Sequence, residues 1–189
     1  MKESEDPAVA VAPSADFRKR VGGMPYRPPN ASLERRRLGE PLADATRRLV
    51  ERRWPLQGAA DHLVSEAVYL PDPEGNGIEI YRDRPSAEWP RTQDGIQMAT
   101  LPLDLEALLT ESAKGSAPVP DGTVMGHIHL HVRDLAEAER FYRDVVGLEL
   151  MTRYGDSASF LAAGGYHHHL GINTWGTAGA RPPVAGSLG

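Results

Sequence analysis

Six of the seven histidines in this chain lie in two short segments, and their spacing is the feature of the sequence that most clearly suggests chemistry. The segments are residues 126–132 (GHIHLHV) and, about forty residues later, 166–171 (YHHHLG). Imidazole binds metal ions in its neutral form and moves protons near neutral pH. The two clusters therefore predict a metal site or an acid–base site. The alternative is a strand whose polar face is rich in histidine, or a metal site that is only adventitious.

The first cluster has the alternation of a half-buried strand. On a strand, His127, His129 and His131 point to one face while the apolar residues between them point to the other. Strand rise separates the outer two by roughly 13 Å at the backbone, so the three imidazoles cannot all reach one ion.

The amino-acid composition limits both the class of protein and the residue types that a metal or catalytic site could use. The 189 residues are 40% hydrophobic and 25% charged, which is typical of a globular protein. The sequence has no cysteine, so disulfides, thiolate metal sites and a cysteine nucleophile are excluded. A site must then use histidine, carboxylate or hydroxyl ligands, which suit iron, manganese or zinc. No apolar run is long enough to span a membrane and the start resembles no signal peptide, so a cytoplasmic protein without a membrane partner is expected.

Charge is distributed unevenly along the chain. Residues 1–60 hold 12 Lys and Arg against 8 Asp and Glu, and the remainder holds 9 against 18. Two basic triplets, at 18–20 and 35–37, could suggest a nucleic-acid partner. No recognition motif and few aromatic residues accompany them, so no nucleic-acid partner is expected.

The first part of the chain reads as an irregular segment followed by a helix and strands. Residues 1–39 are rich in proline and poor in regularly spaced apolar residues, which predicts a disordered or irregular segment. A helix is predicted to begin at Pro41 and run to Arg53, followed by strands at 63–70 and 78–81. Asp104 is predicted to cap a short helix.

The second part has a more regular order of elements. The Gly-, Pro- and Ser-rich residues 114–124 predict a linker, and residues 176–189 a flexible tail. After the histidine strand, Asp134 should cap a helix that ends at Gly147. Strands are then predicted at 148–154, 158–162 and 167–173. The order is strand, helix and three strands, so we expect an α+β fold with one complete βαβββ module and one, in the first part, that lacks its opening strand.

Several segments of this pattern resemble the vicinal oxygen chelate superfamily, which contains glyoxalases, bleomycin-resistance proteins and extradiol dioxygenases. The catechol 2,3-dioxygenase-like branch is the most similar. The segments that carry the resemblance are 61–67 (DHLVSEA), 72–85 (DPEGNGIEIYRDRP), 98–104 (MATLPLD), 126–148 and 163–175 (AGGYHHHLGINTW).

The resemblance implies a curved, cup-like mixed sheet flanked by helices. Members of the branch contain four βαβββ modules. Residues 40–113 would be an incomplete second module with a connecting helix, and residues 125–175 the third module. The expectation is therefore a truncated, split or frameshifted copy, with an incomplete metal site.

The same resemblance implies non-haem Fe(II), or Mn(II), as cofactor, with a small aromatic diol and dioxygen as substrates. His127 corresponds to the first metal ligand, and His129 and His131 would line the cavity or face solvent. Glu79 lies where two-module members place a carboxylate ligand, although in the longer enzymes that module is usually without metal. The remaining ligands would belong to the fourth module.

An acid–base histidine is implied in the run 167–169. His169 is preferred, with His168 as the alternative if the strand register is shifted by one residue. On a strand, His168 would point to the face opposite its two neighbours. The alternative for either is a hydrogen-bonded structural residue.

Other functions remain open at this point. The chain could be a two-module metalloprotein of glyoxalase type, in which Glu79 and His127 share one ion. It could also be a non-catalytic binding protein like the bleomycin-resistance members, or a gene remnant without function. A homo-oligomer could supply ligands from a second copy.

Overall fold

The computed structural model describes residues 33–93, 95–112 and 119–181, with the backbone alone for 33–39. Two compact units can be distinguished within it. The first comprises the described parts of Met1–Trp89 and Met98–Thr123, and the second comprises those of Pro90–Gln97 and Val124–Gly189. No helix in these described ranges is both long and apolar enough to cross a membrane.

The first unit is an antiparallel four-stranded sheet covered by two helices. Its strands are β1 (Gly58–Asp61), β2 (Ser65–Pro71), β3 (Gly77–Asp83) and β6 (Leu101–Pro102), in the order β3-β2-β1-β6. Its helices are α1 (Leu33–Glu51) and α2 (Leu105–Thr110), with a 3-10 turn at Ser86–Glu88. The Asp104 side chain accepts a hydrogen bond from the Ala107 N–H at 2.9 Å, so the predicted cap of α2 is confirmed.

Helix α1 differs from its prediction at the N-terminal end. It begins at Leu33 and contains Pro41 in its interior, whereas the sequence predicts Pro41 as a first helical residue. A proline fits the helical φ and removes a single backbone donor, so a helix can continue past it at some cost. Beyond the proline, Leu42 and Ala43 pack against Val68 and Leu108, which joins α1 to β2 and α2 in one apolar core.

The second unit contains the complete βαβββ module. Its elements are β7 (Ile128–His131), α3 (Leu135–Arg140), β8 (Glu149–Tyr154), β9 (Ala158–Ala162) and β10 (Leu170–Asn173). The sheet has the order β7-β10-β9-β8, and β7 runs parallel to β10 while the other pairs are antiparallel. A two-stranded hairpin of β4 (Arg91–Thr92) and β5 (Gly95–Ile96) also belongs to this unit. The predicted α+β class and its βαβββ module are confirmed.

Helix α3 begins and ends close to its predicted limits. The Asp134 side chain accepts a hydrogen bond from the Glu137 N–H at 2.8 Å, as the capping prediction requires. The helix continues as one π-helical turn, Phe141–Val145, and Gly147 follows with a φ of 88°. A glycine in this left-handed conformation ends a helix without steric cost.

The run of three histidines is not part of a strand, which corrects the predicted strand at 167–173. Strand β10 begins at Leu170. The backbone of His169, just before it, is hydrogen-bonded to both neighbouring strands, β9 and β7. The His169 N–H donates to the Leu161 carbonyl at 2.8 Å, and the His169 carbonyl accepts from the Ile128 N–H at 3.1 Å. Gly164 and Gly165 both have positive φ, which turns the chain after β9. His167 and His168 therefore lie in the loop that leads from this turn into β10.

Candidate metal centre

Three imidazoles of the second unit form a cluster. Each of His127, His129 and His168 offers a ring nitrogen, and these nitrogens all lie within 4.8 Å of one another. The ring centroid of His127 is 5.1 Å from that of His129 and 4.2 Å from that of His168, and the remaining pair is separated by 5.3 Å. The cluster thus combines the first two histidines of segment 126–132 with the middle histidine of the later run.

Parallel pairing of β7 and β10 brings the two segments together. In the register of this pair, His129 lies opposite Gly171. A Cβ atom on Gly171 would lie 2.6 Å from Nδ1 of His129, well inside van der Waals contact. A glycine at this position therefore allows the imidazole to lie against the backbone of β10, which is a common reason for glycine in a strand interior.

An aromatic side chain forms one wall of the cluster. Phe160 lies opposite Gly171 on β9, and its ring meets His168 and His129 edge to face, with centroids 5.0 Å and 6.1 Å away. Such contacts fix the orientation of a ring without adding a competing hydrogen bond. The wall holds the two imidazoles in place on its side.

The cluster is buried on one side and open on the other. His168 is 5% exposed, His127 is half-buried and His129 is exposed. An ion held by the three rings would therefore keep positions on the side of His129 for exogenous ligands. Catalytic metal sites leave coordination positions open, whereas structural sites are closed.

The donor set fits a divalent transition-metal ion. Neutral imidazole is a ligand for iron, zinc, copper and nickel, and non-haem iron sites use two histidines with a carboxylate. Metal–nitrogen bonds of about 2.1 Å place the nitrogens of a tetrahedral site roughly 3.4 Å apart. A bound ion would draw the more widely separated ring nitrogens together. The cluster, as far as the described residues define it, contains imidazoles and no carboxylate.

His131 and His169 lie outside the cluster. Nδ1 of His131 is 3.0 Å from the Trp175 carbonyl, which makes it a donor to the loop after β10. Nδ1 of His169 accepts a hydrogen bond from the Ala163 N–H at 3.2 Å, and its ring lies 4.9 Å from that of Tyr166. Of the two residues considered for acid–base work, His168 is the one beside His127.

Glu79 belongs to the first unit, in a chain of hydrogen bonds. Its Oε1 accepts from the Tyr69 hydroxyl at 3.0 Å, and the same hydroxyl lies 2.6 Å from Nε2 of His62. Nδ1 of His62 in turn donates to the Ala99 carbonyl, 2.7 Å away. Burial and the adjacent carboxylate raise the pKa of the Tyr69 phenol far above its usual range. Within its unit, Glu79 is thus hydrogen-bonded to Tyr69, its cross-strand partner on β2.

One feature of the cluster was not predicted from the sequence, namely the proximity of His129 to His168. The sequence predicts His129 as a cavity-wall or solvent-facing residue, because spacing along one segment does not reveal its neighbour β10. Gly171 carries the signal that could have corrected this, since an isolated glycine between Leu170 and Ile172 marks a close approach in a strand. The signal does not say which side chain approaches, because that depends on the strand order.

Comparisons with known proteins point to one group. Residues 124–184 match the family model described as Glyoxalase/Bleomycin resistance protein/Dioxygenase superfamily. The chain is also 46% identical over 159 residues to a protein named catechol-2,3-dioxygenase from Bacillus subtilis (strain 168). That alignment covers 82% of this chain and 54% of the relative, so the chain spans about half the length of the curated relative that it matches.

Proposed function

Because the chain belongs to the glyoxalase/bleomycin resistance/dioxygenase superfamily, we propose that it acts in extradiol cleavage of a catechol-like substrate with non-haem Fe(II) or Mn(II). The observation that carries the proposal is the cluster of His127, His129 and His168 in the unit that matches the family model. The name of the Bacillus subtilis relative supports catechol and dioxygen as the substrates.

We assign separate roles to the three histidines. His127 and His129 hold the ion, since His127 directly precedes β7, His129 lies within it, and their rings are 5.1 Å apart. A bound Fe(II) or Mn(II) ion would supply Lewis acidity toward the diol and a route for electrons between the aromatic ring and dioxygen. His168 removes a hydroxyl proton from the diol and later returns it, because a histidine can be protonated and deprotonated near neutral pH.

The preference for His168 over His169 rests on contacts. His168 is buried, and its ring is 4.2 Å from that of His127. Nδ1 of His169 is engaged by a backbone N–H in the turn after β9. A proton acceptor must be within hydrogen-bond reach of the group it serves, and of the two residues His168 is the one beside the assigned ligand His127. On this side of the cluster the Phe160 ring lies against His168, with centroids 5.0 Å apart.

An anaerobic Fe(II) titration of the purified full chain tests the proposal, with three single variants beside it. His127→Ala and His129→Ala each remove an assigned ligand. His131→Ala is the matched control, because it removes an imidazole of the same histidine segment that lies outside the cluster. We expect binding at one ion per chain in the parent and in the control. The first two variants should lose at least tenfold in affinity.

Addition of catechol and air to the Fe(II)-loaded protein then tests turnover. We expect a yellow ring-fission product with the parent protein and with His131→Ala. His168→Ala should retain most of the metal affinity and lose turnover by about 10²–10⁴-fold, which is the usual contribution of general acid–base catalysis. Equal Fe(II) affinity in all variants, or no binding to the parent, would contradict the proposal.

A further inference from the structure

The imidazoles of His167 and His168 are hydrogen-bonded to each other. Their Nδ1 atoms are 2.8 Å apart, and their ring planes are inclined at 62°. Both side chains are buried, with exposures of 0% and 5%. Two neighbouring histidines that use the same ring atom for one hydrogen bond must divide the roles of donor and acceptor between them.

This division decides what His168 can do. When His167 donates, the neutral ring of His168 has a bare Nδ1 and carries its proton on Nε2, where it can neither bind a metal nor accept a proton. When His168 donates, its proton is on Nδ1 and Nε2 has a lone pair. Because Nδ1 is used inside the pair, Nε2 is the atom through which His168 reaches the cluster.

We propose that His167 is a positioning residue that accepts the Nδ1–H of His168 and so fixes the tautomer with the lone pair on Nε2. The inference rests on the proposed function, since it assumes that the cluster binds a metal and a diol. It holds whether His168 accepts a proton or adds a third nitrogen ligand, because both roles need the same lone pair. In many metal sites and hydrolase active sites, a hydrogen-bond acceptor on one ring nitrogen of a histidine sets the tautomer in which the other nitrogen is functional.

The surroundings of His167 are suited to this role. Its ring lies against that of Tyr166, with centroids 4.2 Å apart and planes inclined at 40°. The backbone on either side is fixed by the turn at Gly164 and Gly165 and by the bond from the His169 N–H to Leu161. Because the ring of His167 is fully buried on this backbone, it cannot swing away from His168 without displacing its neighbours.

Two substitutions of His167 distinguish the effect of its hydrogen-bond acceptor from the effect of its side-chain volume. Asn places a carbonyl oxygen near the position of Nδ1, so His167→Asn should keep the acceptor. His167→Leu keeps much of the side-chain volume and removes the acceptor. The readout in the metal-free full chain is ¹⁵N NMR of the histidine rings, which distinguishes protonated from unprotonated ring nitrogens. We expect His168 to be protonated on Nδ1 in the parent and in the Asn variant, and on Nε2 in the Leu variant.

Turnover of the Fe(II)-loaded chain with catechol and air gives a second readout. We expect His167→Leu to lower turnover by about 10- to 100-fold with most of the Fe(II) affinity retained, and His167→Asn to restore most of the turnover. A purely structural role would not be rescued by Asn. A parent protein with the His168 proton on Nε2 would overturn the inference even if the Leu variant failed to fold. A parent that binds no Fe(II) but has the proton on Nδ1 would contradict the proposed function and leave the tautomer assignment standing.

Discussion

At the scale of single residues, the cluster depends on the small size of Gly171 as much as on the imidazoles. Gly171 lies beneath the ring of His129, and no positive φ is associated with it. Its backbone conformation is thus open to other residues, and its small size is the property that the structure uses. A substitution of Gly171 therefore adds no backbone strain and changes only the space that the His129 ring occupies.

Substitution Gly171→Ala tests this use of space. The new Cβ would lie 2.6 Å from Nδ1 of His129, so the ring must leave its present position in the cluster. We expect Fe(II) affinity to fall about tenfold, as for other changes that disturb the orientation of a ligand. The unfolding temperature should change little, because alanine is slightly favoured over glycine in a strand interior. Anaerobic titration and thermal unfolding measure the two effects.

The matched control for this experiment is Gly58→Ala. Gly58 also lies in a strand, and a Cβ there would meet only the Tyr69 ring at 4.0 Å, an ordinary contact. This control should leave Fe(II) affinity unchanged. Unaltered affinity in Gly171→Ala would show that the ring of His129 moves freely and that its place in the cluster does not depend on β10.

The residue types of the site were predictable from the sequence, whereas their convergence was not. His127 and the run 167–169 stand out by composition, and both contribute to the cluster. The choice between His168 and His169 depended on assuming that the run was a strand. It lies in a loop instead, where alternation gives no guidance about direction. Side-chain direction in a loop is set by tertiary contacts, here by the turn at 164–165 and the pairing of His169.

At the scale of elements, helix α3 is joined to its sheet by one buried carboxylate. Glu139 accepts hydrogen bonds from Arg153 on β8, at 2.5 Å, and from Ser159 on β9, at 2.8 Å. Arg143, one turn further along the helical segment, donates to it at 3.2 Å. These donors, Arg153 foremost, hold the pKa of Glu139 below its usual range. The ionised form is therefore favoured in the folded protein.

This lowered pKa gives a pH-dependent prediction for Glu139→Gln. A carboxyl whose pKa is lower in the folded than in the unfolded chain contributes stability above its unfolded pKa, and loses it as pH falls through the folded pKa. We expect the variant to be less stable by about 1–3 kcal/mol at pH 7, the usual cost of disturbing a buried hydrogen-bonded group. The difference should shrink as pH falls below about 4. Urea unfolding at pH 7 and at successively lower pH measures it.

A second glutamate on the same helix provides the control. Glu137 pairs with Arg133 at 2.9 Å, but both side chains are about half exposed. Exposed pairs contribute between 0 and about 1 kcal/mol, so Glu137→Gln should change stability far less. Equal losses in the two variants would show that helix charge, rather than the buried bonds to β8 and β9, accounts for the effect.

Local signals predicted most elements, and long-range effects explain the errors. Asp104 and Asp134 cap their helices as predicted because capping depends on the residue and its next three neighbours. The start of α1 was wrong, since Pro41 is compatible with both a first and an interior helical position. The short strand β6 was missed because two residues carry no periodicity and its pairing with β1 is a tertiary contact.

At the scale of the whole molecule, the histidine cluster belongs to one of the two units. His127, His129 and His168 all lie in the part of the chain after Val124, together with the sheet that positions them. The first unit has its own core and its own charged network, in which Arg84 bonds Asp61 and Glu66. The hypothesis that Glu79 shares an ion with His127 can therefore be tested separately, because it predicts that metal binding changes both units.

Hydrogen exchange with and without Mn(II), measured on the full chain by mass spectrometry, separates these possibilities. An ion that binds only the folded state stabilises it by about 2.7 kcal/mol at 100 times its dissociation constant. If only the cluster binds the ion, protection should rise in β7 and β10 and remain unchanged in β3. His127→Ala should abolish the change, while His131→Ala should retain it. A matching rise in β3, lost in Glu79→Gln, would instead assign Glu79 as a ligand and contradict a site made by the second unit alone.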